Sequence, residues 1–298
     1  MRRWLVIAAL VTTAAWLGAA PADSQLPKKG GILKIGLIGE PPTLDGHATT
    51  AVITREIGIN MFEGLYALDA KFQPVPLLAE GHEVLDGARR YAIRLRSDVK
   101  FHNGKTLTSA DVVASLRRWG AVASSGKSVF KNVEAVEAKS PTSLEIRLKE
   151  PSGSLLTVLA QVDSAAVIYP KEVIDASGEG ALKEMIGTGP FKFVEHKPDR
   201  HIRLARFDGY VPRAEPRSYL AGQRIAYLDE LHFLPVPDYA TRQAGMITGE
   251  YGYIQQIKPD QYERIKSAAG VEPVVVKPYG WVTIVLNTKQ GLMFRTAG

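Results

Sequence analysis

At 298 residues, 45% hydrophobic and 23% charged, the chain is long and apolar enough to bury a substantial core in one large or two moderate domains, which excludes a disordered polypeptide. The formal charge of +6, falling to +4 without Arg2 and Arg3, is a mild excess and not the basic striping of a nucleic-acid binder. The chain has no cysteine, which removes disulfides, thiolate catalysis, cysteine-ligated zinc and lipid attachment through an N-terminal cysteine.

The start of the chain predicts export. Residues 1–3 are positive, residues 4–17 are predominantly apolar, and Ala20-Pro21-Ala22 places small residues where a signal peptidase reads, so residues 1–22 are a leader cleaved after Ala22. An uncleaved anchor is the alternative, but the apolar run falls short of the ~20 residues that span a bilayer. After a polar, Gly-rich linker at 25–31, residues 32–38 read as a first buried strand, ended by Pro41-Pro42, neither of which donates to a ladder. Thr43-Leu44-Asp45 is a turn, with the Asp45 carboxylate in an Asx role before a helix over 53–62. Gly64 and Pro74-Val75-Pro76 then break the pattern and mark entry into a subdomain.

Residues 89–120 are readable almost position by position. Tyr91, Ile93 and Leu95 alternate with Ala92, Arg94 and Arg96, as in a half-buried strand, and Val99 and Phe101 continue the alternation up to an Asn103-Gly104 turn. Thr108 and Asp111 have the spacing of a capping box. The helix that follows carries Val112, Val113, Leu116 and Trp119 on one face and stops at Gly120. Residues 131–150 form a second hairpin with one wet face, residues 154–166 a packed helix or strand, and Tyr169-Pro170 closes the subdomain. Helical segments follow around a turn at 178–180. A hairpin pairs Phe191 and Phe193 with Ile202 and Leu204, and residues 208–222 form a long loop. A strand is expected at 228–234, then a helix capped by Asp238 and stopped by Gly249. Tyr262, Ile265 and Ala269 share a face of a further helix ended by Gly270, and residues 274–276 and 281–286 are apolar, β-branched runs suited to a buried sheet. No internal repeat appears.

Signatures of chemistry are missing. Residues 120–128 nearly match a phosphate-binding loop, but five residues separate the glycines where four are needed, and a flexible Gly/Ser loop is expected instead. Gly187-Thr-Gly189 lacks the third glycine of a dinucleotide fingerprint. The six histidines fall in no zinc frame and read as isolated surface or loop residues, so neither a metal nor a cofactor is expected. No Gly-x-Ser-x-Gly elbow exists. Carboxylates that meet only in space stay open to acid/base work.

The wording of residues 89–120, together with FEGLY at 62–66, PLLAEG at 76–81, GTGPF at 187–191 and TGEY at 248–251, resembles the oligopeptide, dipeptide and nickel-binding family of bacterial ABC-transporter solute-binding proteins, extracellular family 5. Several blocks in the right order carry the resemblance over almost all of the chain after residue 30. Gly252 stands where the family usually has an acid, and Phe191 where tyrosine is common.

The resemblance implies a two-lobed α/β periplasmic binding protein of class II, present here as lobe I with its inserted subdomain, the second lobe being missing. Lobe I would comprise residues 23–62 and 171–278, the inserted subdomain 63–170, and the hinge with the start of a truncated second lobe 279–298. It further implies a periplasmic monomer that traps a peptide or similar small solute without chemistry and delivers it to ABC permease subunits in the inner membrane, with no nucleic-acid partner. The cleft-facing residues on this reading are Thr49, Thr50, Ala51 and Val52, the loop carrying Ser124 and Ser125, and Trp281, for which a core position in a strand is the alternative. From other classes, a non-binding remnant or partner-recruiting surface and, further off, a hydrolase stay as alternatives.

Overall fold

The computed structural model describes residues 27–178 and 180–275. The expected leader, the segment 279–298, Trp281 and the apolar run 281–286 lie outside the described residues.

The chain enters through β1 (Ile32–Leu37) and, after a loop, α1 (Val52–Met61). The short antiparallel pair β2 (Tyr66–Leu68) and β3 (Pro74–Pro76) leads into β4 (Ala79–Leu85) and β5 (Arg90–Leu95). Two helices, α2 (Ser109–Val122) and α3 (Ser124–Phe130), precede the hairpin β6 (Val133–Ser140) and β7 (Ser143–Leu148). Next come α4 (Leu155–Leu159), α5 (Lys171–Ser177), the hairpin β8 (Phe191–Lys197) and β9 (His201–Arg206), β10 (Glu230–Pro235), α6 (Tyr239–Ile247), β11 (Tyr253–Ile254) and α7 (Tyr262–Lys266).

These elements build two main sheets. One is antiparallel in the order β4-β5-β7-β6; the other runs β11-β1-β10-β9-β8, with β1 parallel to both β10 and β11 and the remaining pairs antiparallel. The mixed α/β architecture agrees with the class expected from the sequence. Each sheet has its own core. Tyr91, Ile93 and Leu95 of β5 and Leu144, Ile146 and Leu148 of β7 pack with Val112, Leu116 and Trp119 of α2, while Leu37, Ile202, Leu204 and Phe233 pack with Ile57 and Met61 of α1. Each such side chain contributes roughly 1.5–3 kcal/mol by leaving water. The alternation seen in the sequence is what aims these side chains inward.

Local chemistry explains the starts and stops. Asp111 Oδ2 accepts from the Thr108 N–H at 2.9 Å, so α2 begins where the capping-box spacing places it. Gly104, at φ +85°, makes the tight turn, but the strand before it ends at Leu95 instead of continuing to Phe101. Val99 and Phe101 are still buried, since Leu107 N–H returns to Val99 O and Phe101 N–H to Lys105 O within the turn itself.

Three expectations are corrected. Gly120 does not stop α2, which runs to Val122; a Cβ at Gly120 would lie 2.4 Å from the Phe130 ring, so this glycine admits α3 against α2. The expected flexible loop around Ser124 and Ser125 is therefore helix α3, with Gly126 pressed onto the Trp119 carbonyl. Val274 and Val275 stand 75% and 58% exposed, and no described strand pairs with them, because β-branched residues favour a sheet only where a partner covers them.

Candidate solute-binding site

A cavity of about 270 Å³ opens between the loop at 49–51, the exposed side of α1, the segment 159–167 and the segment 217–225. Its loop wall is held from behind by a buried polar cluster. Asp45 Oδ1 accepts the His47 N–H at 2.9 Å, the Asx turn expected from the sequence, and also the Tyr169 hydroxyl at 3.2 Å. Arg118 closes on the same carboxylate with two prongs, Nη1 to Oδ1 at 3.2 Å and Nη2 to Oδ2 at 2.6 Å, and donates to the carbonyls of Gly178 and Gly180. His47 is not the surface histidine expected. It is buried, its Nδ1 accepts from Arg118 Nη1 at 3.1 Å, and its Nε2–H therefore donates to Val167 O at 2.9 Å. Burial, followed by the opposing influences of Asp45 and Arg118, lowers its pKa to about 4, so the imidazole is neutral near pH 7. Thr49 Oγ1 then accepts from Ala51 N–H at 3.1 Å, turning the chain into α1.

The floor carries a second buried group. Glu63, 4% exposed, accepts from Thr188 Oγ1 and the Tyr210 hydroxyl, each at 2.9 Å, and from Arg224 Nη1 at 3.3 Å. Burial and the Glu63 charge push the Tyr210 hydroxyl well above the usual tyrosine range, which keeps its proton in the hydrogen bond. Arg224 also donates to Ile59 O, and at the rim Arg55 pairs with Asp163. The Gly187-Thr-Gly189 turn lies against the end of α1, where a Cβ on either glycine would meet Met61 backbone within 2.7 Å. That close approach is what delivers Thr188 to Glu63.

Of the sequence-predicted residues, Thr49, Thr50 and Ala51 line the cavity together, and Val52 opens α1 without lining it. Ser124 and Ser125 stand behind the wall: Ser124 Oγ lies 3.3 Å from Ser164 Oγ, and Ser125 N–H donates to that oxygen at 3.2 Å, steadying the residues before Ala165 and Val167, which do line it. Trp281 lies outside the described residues. Sequence reasoning missed Arg55, Glu63, Tyr66, Arg217 and Arg224. The one signal available was a glutamate between Phe62 and Gly64-Leu65 in an otherwise apolar run. Among the described residues no group of three or more His, Asp or Glu is placed to hold a metal.

The match to known families is decisive at this point. Residues 73–297 match the model of the bacterial extracellular solute-binding proteins, family 5 middle region. The chain belongs to this family. It is 31% identical over 233 residues to the "probable peptide ABC transporter periplasmic-binding protein y4tO" of Sinorhizobium fredii, covering 75% of this chain and 42% of that one. The binding protein AgaA from A. tumefacien R10, solved with agropinic acid, superposes with a TM-score of 0.68 at 30% identity, covering 79% of this chain and 46% of that one. The oligopeptide-binding protein AppA of Bacillus subtilis, solved with a nonapeptide, gives a TM-score of 0.69 at 26% identity, covering 82% of this chain and 47% of that one. The chain thus spans about half the length of the relatives it matches.

Proposed function

We propose that the chain acts as the substrate-binding component of an ABC importer, capturing a peptide or similar small solute and passing it unchanged to permease subunits in the inner membrane. The observation that carries this reading is the position of Thr49, Thr50 and Ala51, on the wall of a mostly apolar cavity in a family 5 fold. A solute that touches two lobes at once shifts the open-closed equilibrium toward closure by its differential affinity for the two states, and this needs no chemistry at the site. The names of the relatives, a peptide transporter protein and structures holding agropinic acid and a nonapeptide, support a solute with several polar groups.

The finer reading is a periplasmic monomer without enzymatic activity, reached through the 1–22 leader, with a first part of lobe I at 23–62, an inserted subdomain at 63–170, the second part of lobe I at 171–278 and a hinge at 279–298. On this reading Trp281 completes the cleft, Val52 follows its Thr49–Ala51 wall as the first residue of α1, and Ser124 and Ser125 serve it through Ser164. Titration calorimetry of the chain against di- to nonapeptides tests the proposal. Saturable heat with a matching rise in Tm is the expected result, and no heat and no thermal shift across the series would overturn it.

A further inference from the structure

Two exposed aromatic rings stand where tight turns call for glycine. Phe72 closes the turn between β2 and β3, in which its N–H donates to Asp69 O at 2.9 Å and the Asp69 N–H to Gln73 O at 3.0 Å, and its φ is +58°. Tyr219 opens a two-residue turn between Ser218 and Ala221, which exchange both backbone hydrogen bonds at 2.9 Å, and its φ is +54°. Glycine is the usual residue at such positions, because a Cβ crowds the backbone at positive φ. Among the described residues seven that are not glycine have positive φ, and of these Phe72 and Tyr219 alone are aromatic.

The two turns are joined. Ala70 N–H donates to Ser218 Oγ at 3.1 Å and Leu220 N–H to Leu68 O at 3.2 Å, which brings the two rings to 5.8 Å between centroids at a tilt of 58°. Burial does not offset the strain of these backbones, since Phe72 is 51% exposed and Tyr219 49%. A bulky residue held at positive φ with its ring in water breaks a local rule for no gain in packing, which marks a position kept for function. Tyr219 lines the solute cavity, as do the exposed Ile59 and Ile225. The aromatic pair therefore carries the apolar lining of the cavity outward over its rim as a shelf.

We propose that this shelf is a subsite for an aromatic group of the solute, which stacks on Tyr219 and Phe72 as a third ring. The inference rests on the import reading given above and adds to it a class of solute: a peptide or similar small molecule that carries an aromatic group. Aromatic rings prefer offset or edge-to-face contacts, and a tilted, half-exposed pair leaves both a face and an edge open to a further ring. Continuity with the cavity favours the solute over a protein partner as the occupant, because Tyr219 belongs to the cavity lining and to the shelf at once.

Calorimetry of the chain with trialanine and with the three tripeptides that carry one phenylalanine between or beside two alanines is the test. At least one of the three is expected to bind about fivefold more tightly than trialanine, the usual worth of one aromatic pair. Tyr219→Gly and Phe72→Gly should each reduce that preference, and the two together should erase it. In each single variant Tm should stay level or rise, because glycine relieves the turn, which rings kept for structure alone would not permit. Equal binding of all four tripeptides, a preference that survives in the double variant, or a fall in Tm in both single variants overturns the aromatic subsite and leaves the import reading standing. Binding of no tripeptide overturns the subsite as well, and the import reading falls with it only if the longer peptides fail too.

Discussion

Arg118 and Asp45, 73 residues apart in the chain, meet as a two-pronged ion pair in which the side chains are only 2% and 1% exposed. The pair joins the turn before α1 to α2 and, through the Gly178 and Gly180 carbonyls, to the segment after α5. Removing one partner of a buried pair leaves the other charge without compensation. Arg118→Ala is therefore expected to lower the unfolding free energy by about 3–5 kcal/mol, with Arg118→Lys recovering only part because a lysine cannot fork. Urea unfolding checks this, and a loss below about 1 kcal/mol would show the pair to be incidental.

Two imidazoles make the fold sensitive to acid. His47 and His102 both have pKa values lowered to about 4, chiefly by burial. Around His47, Asp45 favours the charged form and Arg118 opposes it, with the Tyr169 ring packed 4.9 Å away; at His102, Nδ1 accepts the Gly187 N–H and Nε2–H donates to Gly189 O. Below pH 6.5 the unfolded chain takes up protons that the folded chain refuses, so stability is full above 6.5 and falls as the pH drops toward 4. Each histidine accounts for about 3 kcal/mol over that window. His47→Gln should remove about half of the histidine-driven slope of the unfolding free energy against pH between 6.5 and 4, His102 keeping the rest, and an unchanged slope would mean that His47 takes up its proton in the folded state as readily as in the unfolded one.

Glu63 links the cavity floor to GTGPF and to the 208–224 segment. Glu63→Gln keeps the shape but turns a charged acceptor of three donors into an amide, leaving Arg224 without its counter-charge. The expected loss is about 1–3 kcal/mol of stability. Tyr210→Phe, which removes one donor and leaves two, should cost less, and a thermal melt of the two variants orders them.

The elements and their inward faces were legible because they follow local rules: period two in β5 and β7, the capping spacing of Thr108 and Asp111, the stop at Gly249. The Asx turn at Asp45 was legible as well, while the choice of Thr49–Ala51 as cleft-facing came from the family resemblance and not from local rules. The floor of the site was not legible. Glu63 meets partners 125 to 161 residues away, and Arg118, on a helix otherwise read by its apolar stripe, finds Asp45 across the two cores. Such pairings exist only once both sheets have formed. Gly120 misled for a related reason: a glycine serves equally as a helix stop and as a contact point, and only the Phe130 ring beside it distinguishes the two.

Gly126 makes that distinction testable. A Cβ there would lie 2.0 Å from the Trp119 carbonyl oxygen, a backbone atom with nowhere to go, so Gly126→Ala must push α3 away from α2. The ordinary helix benefit of alanine over glycine, up to about 1 kcal/mol, is outweighed by an overpacking cost of about 1–3 kcal/mol or more. Because Ser124 and Ser125 at the start of α3 hold Ser164, and the Trp119 indole N–H donates to Ser164 O at 2.7 Å, the displacement should also loosen the 164–167 wall of the cavity. Gly126→Ala is thus expected to lower both Tm and solute affinity. Gly153→Ala, with nothing within 4 Å of the added carbon, should leave both unchanged, and differential scanning fluorimetry with and without solute separates the two variants. If Gly126→Ala lowered Tm yet left affinity intact, the coupling from α3 through Ser164 to the cavity wall would be refuted.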